Sequence, residues 1–189
     1  MALWPGAGSA SDHPGLHAID AALAGLAAPV PVARVDFPYR REGRRAPDRA
    51  PKLMASVRED VAQLCGRWGT TSSHLVLGGR SMGGRICSMV AAGADGEVPL
   101  RVAGLVLMSY PLHPPGKPER LRIEHLPGLS VPVLFISGDR DPFGTPDELA
   151  TAQELIPGPV TSVTIAGKGH DLKHADDEVV AAIVDWLGS

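Results

Sequence analysis

The stretch Leu75-Val76-Leu77-Gly78-Gly79-Arg80-Ser81-Met82-Gly83-Gly84-Arg85 decides how this chain is read. It holds the pattern Gly-x-Ser-x-Gly at Gly79, Ser81 and Gly83. An apolar run precedes it, and a stretch with Ile86, Met89 and Val90 at helical spacing follows it. A serine between a strand and a helix in this pattern sits on a tight turn. Side chains two residues before and after it would meet neighbouring backbone, so both positions are glycine. The turn lifts the hydroxyl clear of the strand end and aims the first N–H groups of the next helix at whatever the hydroxyl attacks. A phosphate loop is excluded, because no Gly-Lys-Ser/Thr ending supplies a lysine.

Outward from the turn, short apolar runs alternate with amphipathic stretches. The runs are Ala2-Leu3-Trp4, Val32 to Phe37, Leu75-Val76-Leu77, Leu105 to Met108, Val131 to Ile136, and Val160 to Ile165. Most lack polar alternation, as strands covered on both faces do. Helical spacing joins Leu16, Ile19, Leu23 and Leu26; Leu53, Val57, Val61, Leu64 and Trp68; and Val179, Val180, Ile183, Val184 and Leu187. Asp12 and Pro14 mark the head of the first helix, His13 and His17 fall within it, and His174 starts the last one. Thr145-Pro146-Asp147-Glu148 reads as a capping box. Strand–helix alternation predicts an α/β fold with a parallel sheet of about six strands and right-handed crossovers. The segments 38–51, arginine-rich, and 110–127, proline-rich, read as irregular, leaving the carboxyl edge of the sheet where ligands bind.

A serine hydroxyl needs a base. Of the seven histidines, His170 alone has the expected position, on the glycine-bracketed loop Gly167-Lys168-Gly169-His170-Asp171 just after the last strand. A metal pair of His170 and His174 lacks a third ligand, so no metal and no cofactor are expected. The acid should follow the fifth strand, at Ser137-Gly138-Asp139-Arg140-Asp141-Pro142. Asp141, at the loop crest, is the candidate that orients His170, and Asp139 is its rival, better suited to bonding backbone N–H groups. The oxyanion donors are read as Met82 N–H, beside the nucleophile, and Ala7 N–H in the loop Pro5-Gly6-Ala7-Gly8-Ser9. That loop also reads as a plain turn into the first helix.

Composition sets the frame. The chain has 189 residues, 44% hydrophobic and 21% charged, with net charge −3. That length suits one domain over 1–189, and a chain of this size buries roughly 70% of its unfolded surface. The charge balance calls for no nucleic acid. Cys65 and Cys87 both fall in helical stretches and read as free thiols. No apolar run approaches the ~20 residues that span a bilayer. Met1 to Pro5 lacks the basic segment and apolar run of a signal peptide. A cytoplasmic protein without membrane contact is the expectation.

These motifs resemble the α/β-hydrolase superfamily on its dienelactone-hydrolase-like side. They are similar to the small branch that includes the hydrolase-like domains of a chromatin-complex regulatory subunit and a testis-expressed protein. The resemblance rests on Pro-Gly-Ala-Gly at 5–8, Asp12-His13-Pro14, Asp36-Phe37-Pro38-Tyr39, Gly-Arg-Arg at 43–45, residues 79–85, Tyr110 to Lys117, and Gly138 to Asp141. It departs at Pro5, where the branch usually has histidine. It also departs at the start, because the superfamily's first two strands have no counterpart here. The resemblance implies a minimal three-layer α/β/α sandwich with strand order 2-1-3-4-5-6. It also implies esterase-like hydrolase chemistry without naming a substrate, and with Ser81, Asp141 and His170 in place the first expectation is cleavage of an ester or thioester through an acyl-enzyme on Ser81. Arg80, Tyr39 and Tyr110, within these motifs, are the candidate substrate-binding residues. A scaffold without turnover and a flavodoxin-like nucleotide-binding domain are the competing classes. The latter lacks a phosphate loop.

Arg40, Arg41, Arg44, Arg45 and Arg49 cluster in 38–51. They read either as a clamp for an anionic substrate or as a solvated loop paired with Glu42 and Asp48. The segment 110–127 is long enough for a short cap, which implies an open pocket. The sheet edge left by the absent strands is open to a second subunit, so a homodimer is an expectation.

Overall fold

The structure, a computed structural model, describes residues 1–188. The strands are β1 (Ala2–Trp4), β2 (Ala33–Arg34), β3 (Val76–Arg80), β4 (Gly104–Met108), β5 (Val133–Gly138) and β6 (Val160–Ile165). The helices are α1 (Pro14–Ala24), α2 (Pro38–Arg41), α3 (Ala50–Trp68), α4 (Met82–Ala91), α5 (Pro146–Gln153) and α6 (Asp176–Leu187). All strand pairs are parallel, in one sheet of order β2-β1-β3-β4-β5-β6. This is the α/β-hydrolase-like architecture and the strand order expected.

Alternate residues of the central strands face opposite layers, as the two-residue period of a strand requires. Leu105, Leu107, Val133 and Phe135 join α3, α4 and α5 in one apolar cluster. Val106, Met108, Leu134 and Ile136 join Leu16, Ile19 and Leu23 of α1 and Val179 and Ile183 of α6 in the other. Each buried Leu, Ile or Val contributes about 1.5–3 kcal/mol.

Several boundaries differ from the sequence expectation, each for a local reason. β2 is two residues long, not six. The Asp36 side chain turns away to accept the N–H and Oγ–H of Ser11 at 2.7 and 2.8 Å, and Pro38 starts α2. The 38–51 segment is therefore part helical, and α3 begins at Ala50. β3 does not stop at its glycine pair. Gly78 and Gly79 pair with Val106 and Leu107 on one side and with Leu3 and Trp4 on the other. A Cβ on Gly78 would lie 2.2 Å from Val106 O, so the glycines permit the approach of the backbones. β5 is shifted two residues along, to Gly138. β6, at the sheet edge, exposes Thr161, Ser162 and Thr164, so it is only partly covered, with Val160 packed on one layer and Val163 and Ile165 on the other.

His13 precedes α1 and caps it, its Nδ1 accepting the Gly15 N–H at 3.1 Å. His174 lies in a left-handed turn with φ 57°, and α6 starts two residues later at Asp176. At α5 the capping box is formed: Thr145 Oγ1 accepts Glu148 N–H at 3.3 Å and Glu148 Oε2 accepts Thr145 N–H at 2.8 Å.

Candidate active site

Ser81 joins β3 to α4 with φ 48° and ψ −114°, a conformation in which a residue with a side chain is strained. Its N–H is held by Met108 O at 2.8 Å and its carbonyl accepts Arg85 N–H at 3.0 Å. The flanking glycines follow from space. A Cβ at Gly79 would lie 2.1 Å from Trp4 O, and one at Gly83 would lie 2.3 Å from the same atom. Both steric reasons for the motif are therefore present, and both involve β1.

Two loops at the carboxyl ends of β5 and β6 meet the elbow. They are zipped together, Arg140 N–H donating to Lys168 O at 2.9 Å and Asp139 N–H to Ile165 O at 3.2 Å. Gly138 permits the contact, since a Cβ there would lie 2.1 Å from Lys168 O. His170 Nε2 is 2.9 Å from Ser81 Oγ, and His170 Nδ1 lies 2.8 and 3.0 Å from the two oxygens of Asp141. The Asp141 carboxylate is 3% exposed and also accepts the Phe143 N–H at 2.8 Å. With a carboxylate on Nδ1, the neutral imidazole carries its proton there and leaves Nε2 as the acceptor facing the hydroxyl. Asp139 is exposed and accepts the Gly167 N–H at 2.7 Å, so it braces the zipped loops and does not reach His170. Phe143 stacks on the imidazole with centroids 4.0 Å apart. Its role was not legible in the sequence; the one signal was its place two residues past Asp141.

The 5–9 loop lies across from Ser81, a Cβ on Gly6 falling 3.6 Å from that of Ser81. Gly6 O accepts Ser9 N–H at 3.2 Å and Ser9 Oγ–H at 3.3 Å. In a trans peptide the N–H points opposite to the carbonyl, so this turn also aims Ala7 N–H. Among the described residues, neither Ala7 N–H nor Met82 N–H donates to a protein acceptor, and both residues line the cavity. Tyr39, expected to touch substrate, does not line the cavity: it is fully buried, and its hydroxyl donates to Ala7 O at 3.0 Å. It holds the loop instead.

The cavity above Ser81 has a volume of about 550 Å³ and is lined by Gly6 to Ser9, His13, Arg80, Ser81, Met82, Arg85, Pro111, Arg122, Phe143, His170 and Asp171. Arg80 is present as expected, but it is 7% exposed and its Nη2 donates to Asp171 O, which ties the neighbour of Ser81 to the neighbour of His170. Tyr110 is a second correction. It is buried outside the cavity, donating to Arg122 O at 2.6 Å and packing edge-on to Phe135. His13 was read as an ordinary helix residue, yet it faces the cavity. Its Nδ1 accepts a backbone N–H, so a neutral ring presents Nε2–H as a donor. Burial, and then Arg80, hold its pKa below the usual histidine value. The 38–51 arginines lie elsewhere: Arg41 pairs with Asp60 and Arg44 with Glu42 and Asp48. Among the described residues no three His, Cys, Asp or Glu side chains are grouped to hold a metal ion, and no helix is long and apolar enough to cross a membrane.

A family model described as an alpha/beta hydrolase domain matches residues 2–181. The chain belongs to that family. Among solved structures it resembles Est1E from Butyrivibrio proteoclasticus, with TM-score 0.76 and 16% identity over 98% of this chain and 85% of that one. Dienelactone hydrolase from Anabaena variabilis aligns with TM-score 0.75 and 21% identity, covering 98% and 84%. The type II thioesterase BorB from the borrelidin biosynthetic cluster aligns with TM-score 0.68 and 20% identity, covering 98% and 91%. A curated relative, epoxide hydrolase A of Mycobacterium tuberculosis, is 43% identical over 60 residues, which is 31% of this chain and only 19% of that protein.

Proposed function

We propose that the chain is a serine hydrolase that cleaves a carboxylic ester or thioester through an acyl-enzyme on Ser81. The observation that carries this reading is the continuous hydrogen-bonded line Ser81 Oγ, His170 Nε2, His170 Nδ1, Asp141 on the floor of an open cavity. Ser81 Oγ attacks the carbonyl carbon while His170 Nε2 takes its proton. The carbonyl electrons move onto oxygen, where Ala7 N–H and Met82 N–H receive the charge. The tetrahedral species collapses, the bond to the leaving oxygen or sulfur breaks, and His170 returns the proton to it. Water then attacks the acyl-enzyme by the same route and frees Ser81. Asp141 stays ionised and stabilises the imidazolium. Fold neighbours that include a thioesterase and a dienelactone hydrolase support the acyl-transfer class.

A fluorophosphonate probe tests the reading. Wild type is expected to label, and Ser81→Ala and His170→Ala to lose the label. Asp141→Asn should slow ester turnover on the order of 10³–10⁴-fold, and Asp139→Asn far less. A folded wild type that resists the probe, or that labels equally in Ser81→Ala, overturns the proposal.

A further inference from the structure

The cavity wall carries positive charge with no close ion pair of its own among the described residues; Asp171 and Asp176 act on Arg80 from further off, and Arg85 touches the Tyr110 hydroxyl. Arg80, Arg85 and Arg122 all line the cavity, and no carboxylate forms an ion pair with any of them among the described residues. Arg80 is committed to the Asp171 carbonyl. The other two are placed differently. Arg85 lies four residues past Ser81 on α4, so it stands on the same helix face, one turn from the nucleophile. Its Nε is buried without an acceptor. Its side chain also lines a second cavity of about 440 Å³ with Met89, His125 and Gly128, so it forms part of the wall between the two. Arg122 comes from the segment that crosses above the site. It is anchored there by its carbonyl, which accepts Tyr110 O–H at 2.6 Å, and by one Nη1 bond to Pro111 O at 3.1 Å. Burial disfavours its charge, and Arg85 disfavours it further. Two guanidiniums that repel each other over a hydrolytic serine, one with an unused buried donor, are arranged for an anion.

We infer that Arg85 and Arg122 form an anion subsite in the Ser81 cavity, and that the substrate is an ester bearing a carboxylate or phosphate a few atoms from its scissile carbonyl. This rests on the serine-hydrolase reading for its substrate and on the arginines alone for its binding. Arg85, from the helix, and Arg122, from the crossing segment, would clamp the anion with parallel N–H bonds. The reacting carbonyl would sit over Ser81, one helical turn away.

Three aryl acetates of the same shape test it: 4-acetoxybenzoate, its methyl ester and 4-acetoxyphenyl phosphate. Wild type is expected to show at least a tenfold higher kcat/KM for one of the two anionic esters than for the methyl ester, and the preferred anion identifies carboxylate or phosphate chemistry. The preference should fall toward one in Arg85→Gln and in Arg122→Gln. As a ratio within one variant, it is insensitive to partial misfolding. A parallel titration of Ser81→Ala with 4-hydroxybenzoate, 4-hydroxyphenyl phosphate and methyl 4-hydroxybenzoate reads binding without turnover. The corresponding anion should bind at least tenfold tighter than the neutral ester, and adding Arg85→Gln should remove the difference. If Ser81 labels with the probe yet wild type prefers neither anion, or both arginine variants keep the wild-type ratio, the subsite is refuted and the hydrolase reading stands. If Ser81 does not label but Ser81→Ala binds the anion in an Arg85-dependent way, the hydrolase reading falls and the subsite remains. Equal binding of neutral and anionic ligands refutes the subsite in either case.

Discussion

Arg41 and Arg44, in the segment 38–51, each reach an acid: Asp60 at 2.6 Å for the first, Glu42 at 2.6 Å and Asp48 at 3.0 Å for the second. Arg80 and Arg122, on the cavity wall, reach backbone carbonyls, and Arg85 beside them reaches the Tyr110 hydroxyl while its Nε has no acceptor. The first group is conspicuous in sequence, because its members stand close together. The second is scattered over more than forty positions and meets only in the fold. Charges clustered along a chain bring their counter-ions with them, as Glu42 and Asp48 show, and so neutralise one another at the surface. Charges assembled by topology on this concave wall form no such close ion pairs among the described residues.

Four substitutions put that contrast under pressure. The largest effect is expected at Arg80, which joins the residue before Ser81 to the residue after His170. Arg80→Met should lower kcat up to about 100-fold, since a displacement of about 1 Å in a catalytic group is enough for that loss. KM should change little, because its donor serves the His170 loop and not the substrate. Steady-state kinetics on a neutral ester separates the two parameters. A KM effect with kcat unchanged would move Arg80 into the substrate-binding group.

His125, beside Arg85, comes next. Burial, with help from Arg85, lowers its pKa to about 4. It is 8% exposed, and its Nε2 lies 2.8 Å from Ser88 Oγ. Arg85 and Glu124 are the charged groups that face it. The unfolded state, with a histidine pKa near ~6.5, binds more protons than the folded state in the window between the two values. Stability is therefore fully present above the unfolded pKa and declines as pH falls toward 4, by on the order of 2 kcal/mol. Urea titrations across that window should show the decline in wild type and a flatter profile in His125→Gln. Parallel profiles would remove His125 as its cause.

The surface group should respond in stability only. Arg41→Ala leaves Asp60, 6% exposed, without its ion partner, and should lower stability by about 1–2 kcal/mol with turnover intact. Arg44→Ala should leave both melting temperature and kcat within the scatter of measurement, because its partners are at the surface. A loss of turnover in either variant would break the distinction between the two groups of arginines.

Residues near Ser81 in sequence were the easiest to read. The glycines at 79 and 83 stand two residues either side of Ser81, so the pattern is legible locally, although the backbone they make room for is that of Trp4 in β1. The chain order Ser81, Asp141, His170 also follows from which strands, β3, β5 and β6, precede each loop. The choice of Asp141 over Asp139 as the residue near His170 was made from turn position and matches the geometry. The extent of β2 was not legible, because a side-chain bond from Asp36 to Ser11, 25 positions away, ends it. Tyr39 and Tyr110 carried motif signals, but both signals mark packing. One hydroxyl pins Ala7 and the other pins Arg122.

The local pattern was enough to set strand, turn and helix at the elbow, since the glycines that make room for β1 stand two residues either side of the strained serine. Apolar periodicity was enough for a parallel sheet between helical layers, because burial on two faces demands it. The approach of His170 to Ser81, 89 positions apart, and the company of Arg85 and Arg122 around one cavity depended on how loops 138–141 and 167–170 zip and where segment 110–127 crosses. Those are sums of many weak contacts between distant segments. No single residue type records them, so only the folded chain decides them.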